Sequence, residues 1–186
     1  SKNIFEKYRT IFLPMNQLPE VLERPNSDLT KLEFLDGNII FSKGISFKVI
    51  KDKKKINIFQ SKSTDWILFS KLNLEGWHIN FTGVSAVNSY NQDQRFNDFG
   101  ITGCINFYEV SFKEISLNIK NGQCEDSINI VNSRGNIKLI KIETAYSDAL
   151  DIDFSKINID NMKIIKAGND CADFSYGEYT IENSIL

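Results

Sequence analysis

The chain contains few of the residues on which metal-binding, redox-active and disulfide-rich folds depend. Its 186 residues include one histidine, two methionines, three prolines and three cysteines. Cys104, Cys124 and Cys171 lie far apart and form no Cys-x-x-Cys pair, so the sequence carries neither a zinc ribbon nor a redox motif. An odd number of cysteines also argues against a dense disulfide framework, which leaves buried thiols or a single bridge as the alternatives.

An excess of positive charge and a long apolar run are also missing. With 22 basic and 24 acidic residues, the net charge is −2, so nucleic acid is not an expected partner. No apolar run approaches the roughly 18 residues needed to cross a bilayer, and we predict no membrane-spanning segment. The first residues lack the layout of a signal peptide, although a leader cleaved before Ser1 would leave no trace. Composition does not identify the compartment or the oligomeric state; we favour an extracellular or envelope-associated location.

What the chain does contain is an internal repeat. Segments 124–131, 146–153 and 168–175 align position by position, and their apolar residues fall at equivalent places. A period of about 22 residues with short alternating runs is typical of stacked coils whose inward residues pack on those of the next coil. We therefore predict an all-β fold, a right-handed parallel β-helix with about 22 residues per coil.

The repeat also divides the chain. It predicts a β-helix over residues 31–186, with the clearest coils in 101–186. Residues 1–30 are predicted to form an irregular or partly helical arm that caps the N-terminal end of the stack, because an exposed terminal coil is an unpaired strand edge. Residues 82–100 are too long for a corner turn and predict a projecting loop, and such loops often shape binding sites. Tyr90 and Arg95 in this loop are candidate binding residues.

An acidic ladder follows the same repeat. Asp126, Asp148 and Asp170 recur at the start of successive strands. If the apolar partners point inward, alternation places a second set of polar residues on the outer face: Asn129, Asp151, Asp153 and Asp173. Stacked coils lie about 4.8 Å apart, so these carboxylates would be close neighbours and would need shared protons, a cation or hydrogen-bond donors.

Three interpretations of the ladder remain open. The aspartates could cap the turns that lead into each strand, through side-chain to backbone hydrogen bonds. They could supply oxygen ligands for Ca²⁺, with Asp126, Asp148 and Asp170 as the metal set, although no dedicated calcium motif is present. They could also be catalytic, because two carboxyl groups 5 to 10 Å apart are what cleavage of a glycosidic bond requires, one as acid and one as base or nucleophile.

Two short segments resemble the signature motifs of polygalacturonases. Ser147-Asp-Ala-Leu-Asp-Ile152 is similar to their Asn-Thr-Asp-Gly-Phe-Asp-Ile, and Asn169-Asp-Cys171 is similar to their Asp-Asp-Cys. The resemblance implies that Asp148 and Asp170 are catalytic carboxylates, and we add Asp151 and Asp173 as catalytic candidates. The later Gly-His-Gly and Arg-x-Lys elements of that family have no counterpart here, and the only histidine, His78, lies well upstream.

A resemblance that covers most of residues 66–186 is to a bacterial family of right-handed β-helix proteins. It rests on Gly100-Ile-Thr-Gly-Cys-Ile-Asn-Phe-Tyr108 and on the aspartate-rich segments that follow. Some members of this family are fused or adjacent to spore-coat protein H-type kinases. The resemblance implies a pectin-lyase-like fold and carries no established activity.

Two functional hypotheses follow. The first is a β-helix module of a larger bacterial surface or envelope-associated protein, which binds a polymer, most plausibly carbohydrate, with Asn129 and Asp153 among its contacts. The second is a polysaccharide hydrolase or lyase that uses the stacked aspartates. No cofactor is expected, apart from Ca²⁺ under the metal interpretation.

Overall fold

A computed structural model describes residues 29–84 and 100–186. Fifteen strands and one 3-10 turn, Lys51–Lys53, account for most of this part of the chain. The strands are β1 (Leu29–Phe34), β2 (Gly37–Ser42), β3 (Ile45–Ile50), β4 (Lys55–Gln60), β5 (Ile67–Ser70), β6 (Asn73–Glu75), β7 (His78–Thr82), β8 (Gly103–Tyr108), β9 (Ser111–Lys120), β10 (Asp126–Val131), β11 (Arg134–Ile142), β12 (Asp148–Asp153), β13 (Lys156–Ile164), β14 (Asp173–Ser175) and β15 (Glu178–Ile185).

The strands form two sheets that run along the stack. The first sheet, called sheet A, has the order β1-β2-β5-β8-β10-β12-β14, and the second, sheet B, has the order β15-β13-β11-β9-β7-β4-β3, with β6 also paired to β9. From β5 in sheet A and from β4 in sheet B, neighbouring strands are parallel. The chain alternates between the sheets and winds into a β-solenoid of about 5 turns with roughly 23 residues per turn.

The register of the coils agrees with the repeat read from the sequence. Asp126 pairs with Asp148, and Ile128 pairs with Leu150. Asp151 pairs in turn with Asp173 in the following coil. The predicted all-β stack of parallel coils is therefore confirmed.

The N-terminal end of the described fold is built differently. Strands β1 and β2 form an antiparallel hairpin, as do β3 and β4, and β2 also pairs antiparallel with β5. The turn after β3 closes at Lys54, which adopts a left-handed conformation with φ of 44°. Tight turns join the two strands of each hairpin. The predicted cap, residues 1–30, is described only at residues 29–30, which begin β1, and the predicted loop, residues 82–100, is described only at its two ends; the rest of both lies outside the described residues.

The core is a column of aliphatic side chains with an aromatic layer near its centre. Ile105, Ile128 and Leu150, which occupy equivalent positions, are fully buried, because alternate residues of each strand point between the two sheets. Phe69 stacks on Phe107 with ring centroids 5.2 Å apart, and Phe107 meets Phe112 edge-on. A smaller apolar cluster on the other side of sheet A contains Ile40, Trp66, Leu68, Ile101 and Val131.

Two cysteines form a disulfide between consecutive coils. Cys104 in β8 is bonded to Cys124 in the turn before β10, with Cα atoms 5.4 Å apart. The amide nitrogen of Gln60 lies 3.5 Å from each sulfur atom. Of the two alternatives left by the sequence, the single bridge is the correct one, and Cys171 is the remaining free thiol. Residues 29–84 and 100–186 contain no helical segment with the length and hydropathy of a membrane span.

Candidate functional site

The aspartates at the strand starts differ strongly in their surroundings. Asp126 and Asp148 are buried, with exposed fractions of 3% and 6%. Asp170, one coil later, is exposed. Asp126 and Asp148 pair in register, whereas Asp170 precedes β14 and lies outside the paired strands.

Asp148 acts as a turn cap. Its Oδ1 atom accepts hydrogen bonds from the backbone N–H of Asp170 at 2.9 Å and from the side-chain amide of Asn169 at 2.8 Å. These donors come from the turn of the following coil, so the carboxylate joins one rung to the next. At Asp148 the geometry is therefore that of an aspartate that caps a turn.

The calcium interpretation finds no ligand cluster in the part of the chain that the structure describes. No three side chains of the types His, Cys, Asp and Glu come together there in a way that could hold a metal ion. The carboxylate of Asp148 faces turn donors, and Asp170 is exposed to solvent while Asp126 is buried. The described residues thus give no support to a Ca²⁺ site at Asp126, Asp148 and Asp170, which stays a prediction.

A separate acidic group lies on the outer face of sheet A. Asp151, Asp153 and Asp173 occupy outward positions of β12 and β14, where Asp151 pairs directly with Asp173. Asp151 and Asp153 are half-buried, and Asp173 is exposed. In the preceding coil the equivalent of Asp151 is Asn129, which is buried, so within the described coils this outward row carries carboxyl groups only from Asp151 onward.

Burial and mutual repulsion change the protonation of this group. Burial, together with the charges of Asp126, Asp153 and Asp173, raises the pKa of Asp151 to about 8. Burial and the nearby Asp173 also raise the pKa of Asp153. Asp151 is therefore mostly protonated at pH 7 and can donate a proton beside other carboxylates, which is the division of roles that general acid catalysis requires.

The structure separates the two pairs of catalytic candidates. Asp148 faces the turn of the next coil, whereas Asp151 and Asp173 lie together on the outer face of the sheet. Asn129 is brought to Asp151 by a 2.8 Å hydrogen bond, and Asp153 follows two residues later on the same strand. Tyr90 and Arg95 lie outside the described residues.

A second feature, the corner between the two sheets, was not predicted. At this corner each coil turns through one residue in the left-handed region, and the equivalent residues are Lys71, Glu109, Asn132, Phe154 and Tyr176, with φ values between 48° and 58°. The backbone N–H of each of the first four donates to a carbonyl oxygen of the next coil, as Phe154 does to Ser175 at 3.0 Å. The corner residues thus form a regular column beside the outward row that contains Asp153.

An open groove of about 700 Å³ follows this column. Phe154 and Tyr176 lie at one end of it, with their rings stacked at a centroid distance of 5.4 Å and an interplanar angle of 3°. Both rings reach solvent, with exposed fractions of 39% and 73%. The remaining lining residues are mostly polar: Glu109, Val110, Ser111, Asn132, Ser133, Arg134, Ser155, Lys156, Gly177 and Glu178.

The sequence contains a signal for this groove that lies outside the apolar and acidic positions of the repeat. Phe154 and Tyr176 are separated by 22 residues and directly follow the outward residues Asp153 and Ser175. Aromatic residues at one repeat position outside the apolar core positions indicate a surface column.

The comparisons with protein families, with curated proteins and with solved structures gave no match.

Proposed function

We propose that this chain is a β-solenoid module that binds a polymer, a polysaccharide, along the corner groove. The observation that carries the proposal is the exposed stacked pair Phe154 and Tyr176 at one end of an open polar groove. Sugars present apolar C–H faces between rims of hydroxyl groups. A groove that combines aromatic surface with polar side chains matches both parts of such a ligand.

The backbone at these positions supports a role beyond folding. Phe154 and Tyr176 adopt φ values of 50° and 48°, a conformation that bulky side chains seldom adopt and that Asn or Gly accommodates more easily. Asn132 occupies the equivalent position one coil earlier. Strain of this kind costs on the order of 1 kcal/mol and is often found at functional sites. Aromatic rings at these two corners are therefore better explained by binding than by stability.

The setting of the module is also part of the proposal. The Cys104–Cys124 disulfide favours an oxidising compartment, such as the bacterial cell surface or envelope. The resemblance to the bacterial β-helix family found with spore-coat protein H-type kinases, and with it a right-handed pectin-lyase-like fold, agrees with a module of a larger protein.

The test is affinity gel electrophoresis with polysaccharides in the gel. Polygalacturonate, carboxymethyl cellulose, hydroxyethyl cellulose, galactomannan and pullulan cover acidic and neutral chains. Replacing Tyr176 with Asn should weaken binding by about tenfold, the order expected for loss of an aromatic contact. Phe59→Asn is the matched control, because Phe59 is 52% exposed but lies outside the groove. Equal retardation of both variants, or no retardation of the unaltered protein by any polysaccharide, would reject the proposal.

Cleavage of a polysaccharide is the second candidate, and the raised pKa of Asp151 beside Asp153 and Asp173 favours it. Asp151 would act as the proton donor, and Asp173 would act as the base or nucleophile. Release of reducing or unsaturated sugar ends should fall at least a hundredfold in Asp151→Asn and Asp173→Asn, with unchanged circular dichroism spectra. If the intact full-length protein releases no such ends from acidic or neutral polysaccharides, this candidate is excluded.

A further inference from the structure

The charged residues of the corner groove are unequally paired. Glu109 lies 3.8 Å from Lys71, and Glu178 lies 2.6 Å from Lys156. In the described ranges Arg134 makes no ion pair and its side chain makes no hydrogen bond, although it is exposed and lines the groove. The groove therefore holds one guanidinium group without a carboxylate of its own.

The position of Arg134 brings a second cation close to it. Arg134 is the first residue of β11 and pairs with Lys156 in β13, which in turn pairs with Glu178 in β15. Adjacent parallel strands are about 4.8 Å apart, so Arg134 and Lys156 can reach the same anion. The side chains of Lys156 and Glu178 are each 74% exposed. An ion pair that is so exposed contributes little to stability, so Lys156 can exchange Glu178 for another anion.

The aromatic pair lies within the same stretch of the groove. Arg134 follows the corner residue Asn132 by two positions, and Phe154 and Tyr176 occupy the same corner in the next two coils. These two coils correspond to about 10 Å along the stack. A single extended polymer could therefore contact the rings and the guanidinium group together.

We propose that Arg134, assisted by Lys156, binds the acidic group of a charged polysaccharide, either a carboxylate or a sulfate. This inference rests on the proposed function, because it assigns a ligand class to the same groove. The planar guanidinium group donates two parallel hydrogen bonds to such an oxyanion, and these charge-assisted bonds are stronger than neutral ones. Asp151 and Asp173 lie outside the groove lining, and the two carboxylates within it, Glu109 and Glu178, form ion pairs with Lys71 and Lys156.

The experiment compares three polymers with one backbone: hydroxyethyl cellulose, which is neutral, carboxymethyl cellulose and cellulose sulfate. Dissociation constants of the whole chain are measured by biolayer interferometry at low and at high NaCl concentration. Arg134→Gln should weaken binding to the acidic polymers by about tenfold and leave hydroxyethyl cellulose unchanged. High salt should reduce this difference, because the subsite is exposed.

Lys163→Gln is the matched control, since it removes one exposed positive charge from the outer face of sheet B, away from the groove. The relative affinity of the carboxylated and the sulfated polymer identifies the acidic group. If Arg134→Gln and Lys163→Gln weaken acidic binding equally, the subsite is rejected, while a loss in Tyr176→Asn would still support the groove. If the unaltered protein binds none of the three polymers and none of the wider panel, both proposals fail.

Discussion

The side-chain amide of Asn129 donates a 2.8 Å hydrogen bond to Oδ2 of Asp151 in the next coil. The same carboxyl group is half-buried near Asp126, Asp153 and Asp173, which raises its pKa to about 8. The two residues occupy equivalent repeat positions, so the change from amide to carboxyl along one row creates the titratable site.

The pH dependence of stability should carry the signature of Asp151. Its pKa is about 8 in the folded chain and close to 3.9 when unfolded. Between these values the unfolded chain has released the proton and the folded chain has kept it. The free energy of unfolding should therefore fall as pH rises from about 4 to 8, by up to about 1.4 kcal/mol per pH unit.

Replacing Asp151 with Asn removes this titration, since the amide oxygen can still accept the hydrogen bond from Asn129. We expect Asp151→Asn to be more stable than the unaltered protein at pH 7 and to lose most of the slope, as measured by urea unfolding at pH 5, 6, 7 and 8.5. Asp52→Asn, in the exposed turn after β3, is the control. A slope that persists in Asp151→Asn would contradict the protonation assigned here.

The capping role of Asp148 predicts a loss of stability without a change in the register of the coils. Asp148→Ala removes the acceptor for the backbone N–H of Asp170 and for Asn169, so the free energy of unfolding should fall by about 2 kcal/mol. Asp170→Ala, at an exposed position, should cost less than about 0.5 kcal/mol. Urea titrations measure both, and similar losses in the two variants would argue against the cap.

The disulfide should be detectable chemically and thermodynamically. Titration of thiols in denaturant without reductant should find one free thiol, that of Cys171, out of three. The double variant Cys104→Ala, Cys124→Ala should lose about 3 kcal/mol of stability, because the bond closes a loop of 20 residues in the unfolded chain. Cys171→Ala serves as the control, and three reactive thiols would show that the bridge is absent.

Tyr179 fastens the last described coil to the one before it. Its hydroxyl oxygen lies 2.8 Å from the carbonyl oxygen of Ser175 and 3.0 Å from that of Ile152, and it can donate to one of them at a time. Tyr179→Phe should lower the free energy of unfolding by about 1 kcal/mol. Thr180→Val, which removes an exposed hydroxyl from the next residue, should leave it nearly unchanged. Equal effects in chemical denaturation would contradict this role.

The parallel coils could be predicted from the sequence because each inward residue packs on its equivalent in the next coil. Ile128 and Leu150 are both aliphatic and occupy the same position of the repeat. Aligning such positions gives the register of the strands. The outer face of sheet A was predicted for the same reason, and its members Asp151 and Asp173 are paired as expected.

The disulfide, the surroundings of the individual aspartates and the corner column could not be predicted, because they depend on contacts that the repeat does not encode. Cys104 and Cys124 are not equivalent repeat positions, so their proximity follows only from the path of the turn before β10. The different environments of Asp148 and Asp151 arise from the donors that surround each carboxylate. The left-handed conformation of Phe154 and Tyr176 opposes the usual preference of aromatic residues, so local propensity gave no indication of the corner column.

The corner column changes its chemistry from coil to coil, from Glu109 and Asn132 to Phe154 and Tyr176. A groove with one polar end and one aromatic end is not equivalent to its own reverse. A polysaccharide chain also has two distinct ends, so the two possible orientations of a bound chain would differ in energy. If the groove binds a polymer as we propose, the module would therefore favour one direction of that polymer along the solenoid.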